Sequence, residues 1–210
     1  MPASSRILPF RPIRSDWFRP AVLGLGALAA AACSGNSGKI DEGAVLRQSV
    51  PVADAFQAEL KQALGGALKQ GGPLLAIGVC QEAAPAIAQA QSAASGAEVR
   101  RIAERTRNPA AAIPAELAGA YAELAANPVV QGKPAEQIVR TGTGNAARIH
   151  YLRAIPMQAE PCAACHGTAV KPEVKAAIVR SYPQDRATGF SPGEMRGALL
   201  VSWPAEKFRP

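Results

Sequence analysis

The sequence has few aromatic residues, only two histidines, and no run of five or six basic residues. Phe, Trp and Tyr make up 5% of the 210 residues, so alanine, leucine, isoleucine and valine must build most of the core. The net charge of +7 is scattered along the chain, which argues against nucleic acid as a partner. The 48% hydrophobic and 19% charged residues exclude a disordered chain and a protein with many membrane spans.

Residues 1–32 have the pattern of an export signal. A polar, arginine-bearing segment precedes the apolar run 21–32, which is too short to span a bilayer but has the length of a signal-peptide core. The alanines before Cys33 resemble a lipoprotein processing site, at which the cysteine becomes the lipid-bearing N-terminus. We therefore expect a periplasmic protein with a signal peptide over 1–32, a lipid anchor at Cys33 and a flexible tether over 33–43. The alternative is an ordinary cleaved signal or an uncleaved anchor.

Two of the four cysteines belong to the motif Cys162-Ala163-Ala164-Cys165-His166, which is typical of c-type haem attachment. This spacing allows the two thiols to bond the two vinyl groups of a haem and places the imidazole of His166 as the proximal iron ligand. A redox disulfide or half of a zinc site is the alternative. A zinc site needs two more cysteine or histidine ligands at short spacing, and the neighbouring sequence has none. We expect one covalently bound haem c.

The residues alone leave four candidates for the sixth iron ligand. A histidine within a strand, such as His150, is more often packed or hydrogen-bonded than ligating. Met157 is only five residues from Cys162, which makes the opposite haem face hard to reach, and Met195 lies in a predicted turn. Cys80 ends an apolar segment before a predicted helix, whose N-terminus would stabilise a thiolate.

The hydrophobic pattern predicts an α+β fold. A long amphipathic helix is predicted over 44–69, ended by Gly71-Gly72-Pro73, with a short buried strand over 74–79 after it. Strands joined by hairpins and interrupted by helices predict an antiparallel sheet flanked by helices. The other predicted strands are 98–106, 136–143, 147–155 and 197–203, and the other helices are 82–94, 114–126 and 173–182.

Four separated segments together resemble the bacterial single-haem c-type domains with a PAS-like fold. The segments are 72–80 with 84–88, 99–101 with 107–109, 162–167, and 182–198. The resemblance covers about residues 44–204 and implies a PAS-like haem domain over 44–210, with the haem motif on a loop. It also implies that Cys80 is the distal axial ligand opposite His166. Arg101 and Arg107 match the family pattern and are expected beside the haem propionates.

These features predict a binding or redox protein, and we expect no enzymatic activity. No Ser-His-Asp set, phosphate-binding glycine loop or paired-carboxylate motif is recognisable, and a haem enzyme needs an open iron face, which Cys80 would close. The expected function is a sensor module for redox state or a diatomic gas, with a separate signalling protein as its partner. The alternative is a membrane-tethered periplasmic electron carrier that docks to a redox partner.

Overall fold

The computed structural model describes residues 40–209. The predicted signal peptide, the lipid-bearing Cys33 and most of the predicted tether lie outside these residues. The side chain of Asp41 accepts a hydrogen bond from the Ala44 N–H at 2.9 Å and caps the first helix. Because that helix begins at Glu42, the last two residues of the predicted tether are helical.

An antiparallel sheet of four strands forms the centre of the domain, in the order β1-β6-β5-β4. Every pair of neighbours in this sheet is antiparallel, and β6 pairs along both of its edges. A separate two-stranded sheet joins β2 to β3. The strands are β1 (Glu98–Ile102), β2 (Val129–Val130), β3 (Lys133–Pro134), β4 (Glu136–Thr141), β5 (Arg148–Pro156) and β6 (Met195–Pro204).

Helices cover both faces of the four-stranded sheet, which confirms the predicted α+β class. Side chains alternate between the faces along each strand, so each face has its own core. Phe56 of the first helix packs with Tyr151 and Trp203 on one face, while Tyr121 of the third packs with Leu152 on the other. None of the helices between residues 40 and 209 has both the length and the apolar character needed to cross a bilayer. The helices are α1 (Glu42–Gly78), α2 (Ala84–Ser95), α3 (Ala118–Ala126), α4 (Ala163–His166) and α5 (Pro172–Ser181).

Helix α1 is broken where the sequence predicts its end. Gly71 and Gly72 leave the helical conformation, and Gly72 has a φ of +64°, which glycine adopts without strain. Pro73 then starts a new helical segment, as proline readily does because its fixed φ suits the first turn. This segment continues through a five-residue π-helical stretch, Val79–Ala83, directly into α2.

The predicted strand over 74–79 is therefore wrong, since these residues are helical. A short apolar run does not distinguish a buried strand from a helix, and here Leu74 and Leu75 are about half exposed rather than buried. The helix N-terminus predicted beside Cys80 is also absent, because Cys80 lies within the π-helical stretch between two helical segments.

The side chain of His150 in β5 links this strand to β4 and β6 by hydrogen bonds, on the face of the sheet that α3 covers. Its Nδ1 lies 2.8 Å from the Ser202 hydroxyl of β6, and its Nε2 lies 2.8 Å from the Thr141 hydroxyl of β4. Burial lowers the pKa of this imidazole from its usual 6.5, so His150 is neutral at pH 7. Because both ring nitrogens have protein partners, His150 is a structural histidine.

We expect the fold to lose stability through His150 as the pH falls below 6.5. In the unfolded chain this imidazole takes up a proton at a higher pH than in the folded chain, so acid favours unfolding. The contribution is at most about 1.4 kcal/mol per pH unit between the unfolded and the lowered folded pKa. Urea unfolding at several pH values should give a smaller slope of unfolding free energy against pH for His150→Gln than for the wild type. Equal slopes would contradict this role.

Candidate functional site

A cavity of about 670 Å³ lies between helices α1 and α2 and the sheet, at the end of β5 from which the chain continues into the cysteine motif. Its volume is within the ~300–1,000 Å³ typical of ligand sites. Cys80, Cys162, Cys165 and His166 all line this cavity. Helices α1 and α2 supply nearly half of the remaining lining residues, and β1 with the loop after it supplies many of the others. The apolar residues from the two helices include Phe56, Leu60, Leu64, Leu68, Ile77 and Pro85.

The cysteine motif folds into a single helical turn. The His166 N–H donates to the Cys162 carbonyl at 3.0 Å, and the Gly167 N–H donates to the Ala163 carbonyl at 3.0 Å. Residues three and four apart share a face of such a turn, so Cys162, Cys165 and His166 face the same way. A Cβ atom at Gly167 would lie 2.7 Å from the Ala163 carbonyl oxygen, so this turn needs glycine there.

The hydrogen bonds of His166 leave its Nε2 available. Its Nδ1 lies 2.7 Å from the carbonyl oxygen of Ala187 and 3.1 Å from Nε of Arg196. A carbonyl only accepts, so the shorter contact requires the hydrogen on Nδ1, and the Arg196 contact is then not a hydrogen bond. Burial, followed by the charges of Arg196 and Arg107, lowers the pKa of His166 well below 6.5. The imidazole is therefore neutral, with its Nε2 lone pair free to bind a metal.

Arg107 holds the backbone of the motif in place. Its Nε donates to Oδ1 of Asp185 at 2.9 Å, and its Nη2 donates to the Cys165 carbonyl at 2.6 Å. The side chains of Arg107 and Asp185 are 6% and 7% exposed, so this is a buried ion pair. Arg107 was expected beside the haem propionates and does line the cavity, but its charge is paired with the carboxylate of Asp185.

The segment after α5 wraps around the motif. The Gly189 N–H donates to the Gly167 carbonyl at 2.9 Å, and the Phe190 N–H donates to the His166 carbonyl at 3.0 Å. The Phe190 ring also meets the His166 ring edge to face, with centroids 6.5 Å apart. The sequence segments that carry the family resemblance around 107, 162–167 and 182–198 therefore meet at one place.

Arg101 and Arg196 are two further cations that line the cavity. Among residues 40–209, neither forms an ion pair with a carboxylate. Burial, together with the positive charges of Arg101 and Arg107, lowers the pKa of Arg196 to about 10, which leaves it protonated at neutral pH. Arg101 was predicted as a site residue, whereas Arg196 was only part of the resemblance segment 182–198 and was given no role. Its signal in the sequence is a lone charge in the otherwise apolar strand β6.

The candidates for the distal ligand lie in different places. Cys80 lines the cavity with His166, as a free half-buried thiol. Met157 and Met195 are buried in two separate apolar clusters, and neither lines the cavity. His150 is on the α3 face with both nitrogens engaged.

The fold and the site together define an α+β protein whose Cys-x-x-Cys-His motif lines an apolar cavity containing a third thiol. A family model described as "Tll0287-like: Tll0287" matches residues 38–204 of the 210. The chain belongs to this Tll0287-like family, which confirms the resemblance seen in the sequence.

A solved structure described as the cyanobacterial heme-protein Tll0287 is similar to this chain. The two share 28% sequence identity with a TM-score of 0.59, and the match covers 77% of this chain and 95% of the other. No curated protein matches the chain.

Proposed function

We propose that this chain is a c-type haem protein in which Cys162 and Cys165 bind one haem covalently, with His166 and Cys80 as axial ligands. The observation that carries the proposal is that both motif thiols, the neutral imidazole and Cys80 line one apolar cavity. The similar structure is that of a heme-protein, which supports the same cofactor here.

The polar groups of the cavity fit the chemistry of a haem. A porphyrin is a flat apolar ring with two carboxylates at one edge, and it needs an apolar wall and cations. Part of the apolar wall is supplied by α1 and α2, and a cation by Arg101, which is half-buried and has no carboxylate partner among the described residues. A partly buried positive charge is stabilised by a nearby anion, so Arg101 favours an anionic ligand.

The placement of Cys80 supports its role as the distal ligand. It is the one of the four sequence candidates that lines the cavity. It also lies in the π-helical stretch Val79–Ala83, a type of irregularity that is frequent at functional sites. With ligands on both faces of the iron, no open position is left for a substrate, which is why we propose a binding or redox role rather than an enzyme.

We propose that the protein acts as a periplasmic sensor of redox state or of a diatomic gas. Bound haem would supply a one-electron centre with affinity for such gases. As a ligand, the Cys80 thiolate would favour ferric iron, so its hold on the iron would be weaker after reduction. Release of Cys80 would free the segment between the break at Gly72 and the start of α2, because both ends of that segment are already irregular. A separate signalling protein would receive this change, with lipid at Cys33 holding the sensor to a membrane.

An electron carrier is the second candidate. It is favoured by the half-buried state of Cys162 and Cys165, which would bring that edge of a bound haem close to the surface. A carrier keeps both axial ligands in both oxidation states, because ligand exchange slows electron transfer.

Reduction by dithionite followed by carbon monoxide separates the two roles. A sensor should bind the gas readily after reduction, and hydrogen exchange in residues 73–83 should then accelerate. Cys80→Ala should bind the gas without that change in exchange. A reduced wild type that binds no gas and shows unchanged exchange would support the carrier and contradict the sensor.

A further inference from the structure

The guanidinium of Arg196 lies behind the imidazole of the proximal histidine. Its Nε is 3.1 Å from Nδ1 of His166, on the side of the ring away from Nε2. Its Nη1 donates to the Arg105 carbonyl at 3.4 Å, and its guanidinium carbon lies 5.4 Å from the centre of the Phe190 ring. These contacts fix the position of the charge without neutralising it.

The neighbouring arginines differ from Arg196 in this respect. Arg107 is neutralised by Asp185 at 2.9 Å. Arg105 is paired with Glu194 at 3.6 Å in a more exposed position. Arg196 has no carboxylate among residues 40–209 and lines the cavity beside Arg101. An uncompensated charge held against the ligand imidazole therefore distinguishes Arg196 from Arg105 and Arg107.

We propose that Arg196 is a positioning residue that raises the reduction potential of the iron bound by His166, an inference that rests on the proposed haem function. A nearby positive charge disfavours the more positive ferric state, since like charges repel more strongly in a site of low dielectric constant. Arg196 thereby opposes the thiolate of Cys80, which favours ferric iron.

The test is the midpoint potential of the haem-loaded protein with Arg196→Gln, Arg196→Met and Arg196→Lys. We expect the two neutral variants to shift the equilibrium towards ferric iron about tenfold, which is ~59 mV for one electron. Arg196→Lys keeps the charge and should stay within about threefold of the wild type. Arg180→Gln, at an exposed position of α5, is the control and should leave the potential unchanged.

The outcomes distinguish this inference from the proposed function. A wild type without haem would overturn the proposed function. Normal haem content with neutral variants within about threefold of the wild type would overturn only the role of Arg196. If neither neutral variant folds, Arg196→Lys decides: a potential near that of the wild type supports the charge effect, and a tenfold fall contradicts it.

Discussion

Replacement of Cys80 by alanine is expected to change the ferric absorption spectrum from a six-coordinate low-spin form with thiolate character to a form without a distal protein ligand. The reason is geometric, because Cys80 shares the cavity with His166 while Met157 and Met195 are packed elsewhere. None of the other three candidates for the distal ligand lines the cavity, so none can replace Cys80 at the iron.

The reduction potential should change in the same experiment. In the proposed ligation, replacing Cys80 removes the negative thiolate that favours ferric iron, so the potential should rise on the order of 0.2 V, within the ~0.8 V that axial ligands span. Cys80→Met, which offers a neutral sulfur ligand, should also raise the potential while keeping six-coordination. Gln81→Ala, in the same π-helical stretch but exposed, is the matched control. A spectrum and potential unchanged in Cys80→Ala would remove Cys80 from the iron.

Breaking the ion pair between Arg107 and Asp185 is expected to destabilise the fold by about 3–5 kcal/mol, because either partner alone is a buried unpaired charge. Both side chains are nearly inaccessible, and Arg107 also binds the Cys165 carbonyl at 2.6 Å. We therefore expect Arg107→Met and Asp185→Asn each to lower the free energy of unfolding in urea. The same variants should lower the yield of attached haem, since the motif turn loses its support.

Two comparisons make this prediction specific. The more exposed pair of Arg105 and Glu194, at 3.6 Å, is the control, and Glu194→Gln should cost no more than about 1 kcal/mol. The double variant of Arg107 and Asp185 should cost less than the sum of the single variants, because it leaves no lone buried charge. If Arg107→Met costs no more than the control, the ion pair does not hold the motif.

The local parts of the site could be predicted from the sequence. Cys162, Cys165 and His166 lie within one helical turn, so their spacing alone places them on one face. The break at Gly71-Gly72 was also predicted, because few other residues adopt those backbone angles. The antiparallel pairing of β4 with β5 followed from the hairpin predicted between them.

The parts that depend on tertiary contacts could not be predicted as well. The apolar run 74–79 has no period that separates a strand from a helix, and its helical state depends on packing of Ile77 against α5. Arg107 was singled out through the family pattern, but its partner is 78 residues away at Asp185, which no local pattern indicates. Arg196 was missed for the same reason, since its significance comes from its distance to His166.

The most direct test of the account is the intact mass of the mature protein under denaturing conditions, after expression in a host able to attach haem c. We predict the mass of the processed chain plus one haem, retained after unfolding and acid extraction because thioether bonds at Cys162 and Cys165 are covalent. Replacing both cysteines with serine should return the mass to that of the chain alone. A wild-type protein whose denatured mass is that of the bare chain would contradict the central claim.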